Sequence, residues 1–294
     1  MILEPRLVKL TTRTGIEIRR TLPNARKRMI GAWAFVDHFG PTQQTDGMVV
    51  AAHPHTGLQT ATWLFEGRIE HRDSIGTIQH IEPGQLNLMT AGHGISHSEL
   101  SEAGPQSLHA VQLWIALPDS VREVSPAFEH ISELPEVVLG QSTIKVFAGE
   151  LLGVTAPTKL YSKLVGAELR IPAETSLTLP VNSSFEHGVM PVQGDVTVNS
   201  TVVAQELTEY LSPGTERLEI TAGKDDVIAV LLGGEPFSEP IVMWWNFIAR
   251  THDEIVEQRE QWNARDSRFG EFQDRIGGWI PAPDLPNVTL RSRN

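Results

Sequence analysis

With 294 residues, 40% of them hydrophobic and 20% charged, the chain has enough apolar material for two domains of ordinary size and no compositional sign of disorder. Its 24 basic and 36 acidic residues give a net charge of −12, which repels phosphate backbones and anionic bilayers and argues against direct nucleic-acid or membrane binding. Cysteine is absent, so disulfides, thiolate metal sites and cysteine nucleophiles are excluded, and any metal must be held by nitrogen and oxygen.

Met1 to Leu10 alternates polar and apolar residues without a signal-peptide core, and no run of about 18 apolar residues follows, so a soluble, cytoplasmic protein is expected. From there the pattern is one of short strands between Gly, Pro, Asn and Asp turns. His53-Pro54-His55 places two imidazoles two residues apart, which on a strand puts both on one face. Thr60 to Phe65 is a predicted strand, and His71, Arg72 and Asp73 read as a polar turn after Gly67. Leu86 to Ala91 follows as a strand, and His93 reads as a loop histidine, with a hydrogen bond to a substrate oxygen as the alternative. His97-Ser98-Glu99 repeats the two-residue spacing with one imidazole and one carboxylate. His109 to Ala116 is the next strand, with Gln112 and Trp114 sharing a face. His109 and His130 show no partner and are read as structural.

Between Pro118 and Glu136 the composition shifts to prolines, acids and serines, which suits a connection, and a boundary near residue 133 gives domains 1–133 and 134–294. Ile144 to Ala148, Ser176 to Leu179, Asp195 to Asn199 and Val227 to Leu232 are further strands. Trp244, Trp245, Phe247 and Ile248 form an apolar cluster that is expected to be buried, with a subunit contact as the alternative. Thr251 and Glu254 have capping-box spacing at the head of a helix running to about Asp266, with Ile255 and Trp262 facing a barrel. The prolines from Pro281 onward make the tail an extended strap. The fold class is mostly β, barrel or sandwich.

Turn signals recur in both halves. Trp63 to Glu70, Glu82-Pro83-Gly84 and Thr90-Ala91-Gly92 are echoed by Met190 to Thr197, Ser212-Pro213-Gly214 and Thr221-Ala222-Gly223, which points to duplication of one barrel. Two neighbouring strands carrying His53, His55, His97 and Glu99 would converge four donors on one ion. Yet 11 histidines in 294 residues produce a His-x-His by chance about 0.4 times, so spacing alone leaves a structural role open.

Longer motifs bear on the choice. Gly47, His53, His55, Gln59 and Gly67 resemble the first motif of the cupin superfamily, and Pro83-Gly84 with His97 the second. Val36-Asp37-His38-Phe39-Gly40-Pro41, His53 to Gly57, His71-Arg72-Asp73-Ser74, Met89 to Glu99 and Glu239-Pro240-Ile241-Val242 resemble the pirin family over most of the chain. The resemblance implies a bicupin of two jelly-roll-like β-barrels with a short C-terminal helix. It also implies one divalent metal held by His53, His55, His97 and Glu99. Gln59 stands where other cupins carry a carboxylate, which is harmless if Glu99 serves. Thr56, Leu58-Gln59 and Asn87-Leu88 depart from residues common in pirins, at positions expected on the pocket rim. Aligning Gly194 on Gly67 sets Pro180 and Asn182 against the two histidines, so the second barrel is expected to be metal-free, with His187 a packed residue.

Three imidazoles and a carboxylate leave two open positions in an octahedral shell, as non-haem iron oxygenases require, so Fe(II) is favoured, while Mn, Co, Ni, Cu or Zn also suit these donors. The resemblance further implies an oxidoreductase of the quercetin 2,3-dioxygenase type, opening a flavonol such as quercetin with O2, with Glu99 as catalytic base as well as ligand. The alternative it carries is a regulatory binding protein with a redox-active iron and a protein partner.

Overall fold

A computed structural model describes residues 1–9, 17–44, 47–101, 106–271 and 278–292; Leu10, the end of the alternating N-terminal stretch, lies outside them. The protein is mostly β, and none of its described helices is long and apolar enough to cross a membrane. The chain groups into two compact units: Met1–Val8, Arg19–His38 and Ile131–Phe237 in one, and Lys9–Ile18, Phe39–His130 and Ser238–Asn294 in the other. This grouping changes over at Ile131, near the expected boundary, but it differs from two continuous spans. Early strands join the second half, while the helix and tail join the first.

In the unit containing His53, one antiparallel sheet orders its strands Val49–His55, Ile95–Ser101, Ile69–Asp73, Ile78–Ile81. In its other sheet, Ala127–Ile131, Leu86–Thr90, Leu58–Glu66 and Gln106–Ala116 follow one another. Every residue from Leu58 to Phe65 is buried, which is why this central strand shows little alternation. Ala127–Ile131 is a strand inside the segment read as a plain connection, and His71 to Asp73 belong to a strand instead of a turn. Neither shows the apolar alternation that marks a half-buried strand: Ile69–Asp73 buries polar residues, and Ala127–Ile131 is uniformly half-buried.

The other unit repeats the strand order. Ser176–Pro180, Arg217–Ala222, Val196–Val198 and Thr201–Val203 form a four-stranded sheet, and Thr208–Leu211, Glu186–Gln193 and Val227–Gly234 lie side by side in the larger one. Leu177, Leu179, Leu218 and Ile220 from the first sheet share a core with Val165, Val189, Ala229 and Leu231 from the second. Strand by strand the order matches the first unit, which bears out the duplication but corrects its alignment. Ser212 to Gly214 occupies the turn equivalent to Ala91–Gly94; the place of Gly84, at φ 79°, is taken by Glu206, at φ 74°. Pro and Gly populate any tight turn, so their order alone misled. Likewise Pro180 and Asn182 are not inward positions. Pro180 faces out, Asn182 accepts hydrogen bonds from the Ser184 N–H (2.9 Å) and hydroxyl (2.8 Å), and the inward pairs are Leu177 with Ile220 and Leu179 with Leu218.

His187, in the strand Glu186–Gln193, is fully buried, and neither ring nitrogen has a hydrogen-bond partner among the described residues. Burial lowers it to about 4, with only the Glu186 carboxylate pulling the other way. A folded value below the unfolded one of about 6.5 means that its contribution to stability is intact above that pH and is lost as pH falls toward 4, by about 3 kcal/mol. Denaturant midpoints of wild type and His187→Leu, compared between pH 7 and pH 4, are therefore expected to diverge, the variant losing less. Parallel curves would show that the imidazole is not held neutral.

The helix spans His252–Asn263, its Thr251 hydroxyl accepting from the Glu254 N–H at 3.2 Å, while the Glu254 carboxylate reaches back to the Arg250 N–H at 3.0 Å. It stops short of Asp266 because Arg265 turns into the left-handed region at φ 57°. Ile255 and Trp262 are buried as expected, but against Val242, Phe247, Phe269 and Ala282. Trp244 and Trp245 pack on the same cluster, which accounts for the apolar run before the helix.

Candidate metal centre

The strands Val49–His55 and Ile95–Ser101 are antiparallel neighbours, with His97 opposite His53 and Ile95 opposite His55. A bulge between His97 and Glu99 shifts the register so that Glu99 stands opposite Val50; such an irregularity re-aims a side chain. One donor atom from each of His53, His55 and His97 lies within 4.8 Å of the others, and the same holds for His71, His97 and Glu99. All five residues are buried. His97 is common to both clusters; His53 and His55 stand in one, Glu99 in the other, and His71 joins Glu99 unforeseen.

Hydrogen bonds set the tautomers. His53 Nδ1 lies 2.9 Å from the Ala51 carbonyl oxygen and His55 Nδ1 3.1 Å from that of Asn246. A carbonyl only accepts, so each ring carries a proton on Nδ1, which in the neutral form leaves the lone pair on Nε2. His97 Nδ1 faces His71 Nδ1 at 3.4 Å, while its buried Nε2 has no hydrogen-bond partner among the described residues. Burial, reinforced by the neighbouring imidazoles, lowers His55 and His97 well below the ordinary range, so both rings are neutral. Burial also raises Glu99, against the pull of His71 and of a hydrogen bond from Thr62. Neutral imidazoles presenting Nε2, beside a carboxylate that gains by meeting a cation, fit a divalent ion of the imidazole-accepting kind.

The site is braced from the C-terminal side. The Ile248 N–H donates to the Thr56 carbonyl at 3.0 Å and the Ile280 N–H to the Ala52 carbonyl at 2.9 Å, on either side of His53 and His55. Gly57, at φ 69°, makes the turn after His55; a Cβ there would sit 2.2 Å from the Ile248 oxygen.

Residues weighed from the sequence fall into place around this core. Gln59 donates to the Thr90 hydroxyl at 2.9 Å. The Thr62 hydroxyl lies 2.9 Å from Gln112 Oε1 and 3.3 Å from Glu99 Oε1, and the Trp114 ring meets His55 edge-on at 5.0 Å, so both residues of that strand face border the centre. His130, read as partnerless, holds Asn87 Oδ1 at 2.7 Å, and His109 packs on Phe65 at 4.7 Å. His93 is tied in by its backbone, its carbonyl accepting from Arg268 Nε at 2.6 Å. Thr56 donates to Gln258 at 3.0 Å. The departures at Thr56, Gln59 and Asn87 are therefore buried, hydrogen-bonded positions. The missed pair, His71 and Asp73, had a signal: it is a third instance of the two-residue spacing seen in His53-x-His55 and His97-x-Glu99.

Comparison with known proteins agrees with this picture. The chain is 42% identical to a Pseudomonas aeruginosa protein named for quercetin 2,3-dioxygenase activity, over 92% of this chain and 87% of that one. It is 34% identical to a pirin-like protein of Caulobacter vibrioides, over 92% and 95%. A crystal structure of a quercetin 2,3-dioxygenase from Acinetobacter baumannii superposes with a TM-score of 0.95 at 43% identity, covering 99% of this chain and 97% of the other. The profile described as "Pirin" matches residues 15–115, and that described as "Pirin C-terminal cupin domain" matches residues 166–270. With two cupin domains in tandem and a buried His/Glu cluster in one of them, the chain belongs to the pirin family.

Proposed function

We propose that this protein is a metal-dependent dioxygenase of the quercetin 2,3-dioxygenase type, with His53, His55, His97 and Glu99 holding a single divalent ion, Fe(II) by preference. The observation that carries this reading is the pair of buried clusters, His53/His55/His97 and His71/His97/Glu99, that share His97 in a chain 43% identical to a quercetin 2,3-dioxygenase over 99% of its length. In the other unit the facing inward positions are Leu177, Leu179, Leu218 and Ile220, which offer no donor and support a single site. The absence of cysteine suits a reducing, cytoplasmic setting.

When bound, the ion supplies Lewis acidity toward an enolic hydroxyl and an open-shell centre for dioxygen. The protein does the rest. Glu99, whose basicity burial increases, accepts the flavonol 3-hydroxyl proton on its carboxylate. The Thr62 hydroxyl, shared with Gln112 Oε1, reaches that carboxylate, and Trp114 packs against His55.

The iron-loaded protein is expected to bleach quercetin absorbance in air and to release carbon monoxide. A silent assay with well-occupied iron would overturn the catalytic reading and leave a binding protein.

A further inference from the structure

Two of the three clustered imidazoles have their tautomer fixed by a backbone carbonyl, but the partner of His97 is another imidazole, which can donate or accept. Something else must decide the matter. His71 Nε2 lies 3.0 Å from Asp73 Oδ2 in a buried pair, and its ring is held flat against Phe128 at 4.6 Å and 25° between planes. The other carboxylate oxygen, Asp73 Oδ1, accepts from the Ile75 and Thr77 N–H groups at 3.1 and 3.0 Å. A carboxylate only accepts, so His71 in its neutral form carries its proton on Nε2 and presents a lone pair at Nδ1. His97 Nδ1, 3.4 Å away, must then be the donor, and the bare nitrogen of His97 is its buried, unpartnered Nε2.

We infer that Asp73 and His71 form a hydrogen-bonded chain that fixes the tautomer of His97 and so presents Nε2 of that ring to the metal. Asp73 and His71 are positioning residues: both nitrogens of His71 are engaged, so it orients a ligand instead of serving as one. Outer partners of this kind set ring orientation and donor strength at metal sites generally. The inference deepens the proposed reading at the level of metal binding only, and it survives if the dioxygen chemistry fails.

The turn makes a clean test available. In Asp73→Asn the two N–H donors of Ile75 and Thr77 hold the amide oxygen at the Oδ1 position, which turns the amide nitrogen toward His71. A donor there reverses the chain: His71 accepts at Nε2, donates from Nδ1, and His97 takes its proton on Nε2. Long-range proton–nitrogen NMR of the metal-free, 15N-histidine-labelled protein is expected to show His97 protonated on Nδ1 in the wild type and on Nε2 in the variant. Chelator competition with Co(II) is expected to show affinity reduced about 10- to 100-fold, with the melting temperature of the metal-free protein unchanged. In His71→Asn the amide oxygen can accept from His97 Nδ1 without help from Asp73, so Co(II) affinity is expected to stay close to wild type. An unchanged His97 tautomer or unchanged Co(II) affinity in Asp73→Asn overturns the inference. So does a loss of Co(II) in His71→Asn, which would make His71 a ligand. If Asp73→Asn fails to fold, the wild-type tautomer and His71→Asn still decide.

Discussion

Glu99→Gln is expected to lower kcat for quercetin about 10²- to 10⁴-fold, the range over which a positioned general base contributes. Glutamine keeps the length of the side chain and an oxygen for the Thr62 hydroxyl, 3.3 Å away in the native protein, but it has no basicity at neutral pH and is a weaker donor to a cation. Metal analysis alongside the kinetics separates the two roles. Iron retained with kcat lost identifies the proton acceptor; iron lost together with kcat identifies the ligand. Turnover close to wild type would contradict both.

A large structural effect is expected at Gly57, beside the histidine strand. Valine there would have to adopt φ 69°, which β-branched residues avoid, and its Cβ would approach the Ile248 carbonyl oxygen to 2.2 Å. Neither partner can yield cheaply. The Gly57 N–H donates to the Gly92 oxygen at 2.9 Å, its oxygen accepts from the Leu117 N–H at 3.0 Å, and Ile248 is tied to Thr56. Gly57→Val is expected to destabilise the protein by more than about 3 kcal/mol and to reduce bound metal, because His55 is two residues away. Gly76 provides the control: at φ 95° but with nothing within 4 Å, its alanine variant carries only the backbone strain, about 1 kcal/mol. Thermal melts of the two variants should rank accordingly, and equal losses would remove the case for the close approach.

The legible parts of this fold were those written in local pattern. The strands from Thr60 to Phe65 and from Val227 to Leu232 and the Thr251 cap were readable, because β-branched runs and capping spacing are short-range signals, whereas the choice of His53, His55, His97 and Glu99 as donors rested on the family resemblance, since His-x-His spacing alone left it open. What escaped had its cause in long-range pairing. Nothing local says that Ile69–Asp73 lies beside Ile95–Ser101, with Asp73 opposite His97. Without that neighbour, His71 and Asp73 look like surface polar residues. The loop after Pro180 misled for a related reason: strand equivalence between the units is defined by sheet order, and a longer loop slides a sequence alignment off the inward-facing residues. The Asn246 acceptor for His55 is a backbone oxygen, which leaves no mark in side-chain identity.

The bracing of the His53–His55 strand has a temporal consequence. Its partners at Asn246, Ile248 and Ile280 come much later in the sequence, so they leave the ribosome long after the histidines they secure. A nascent polypeptide halted at residue 240 would carry all three imidazoles and the carboxylate yet lack these supports. The histidine strand is therefore fully braced only once residues as far as Ile280 have been synthesised.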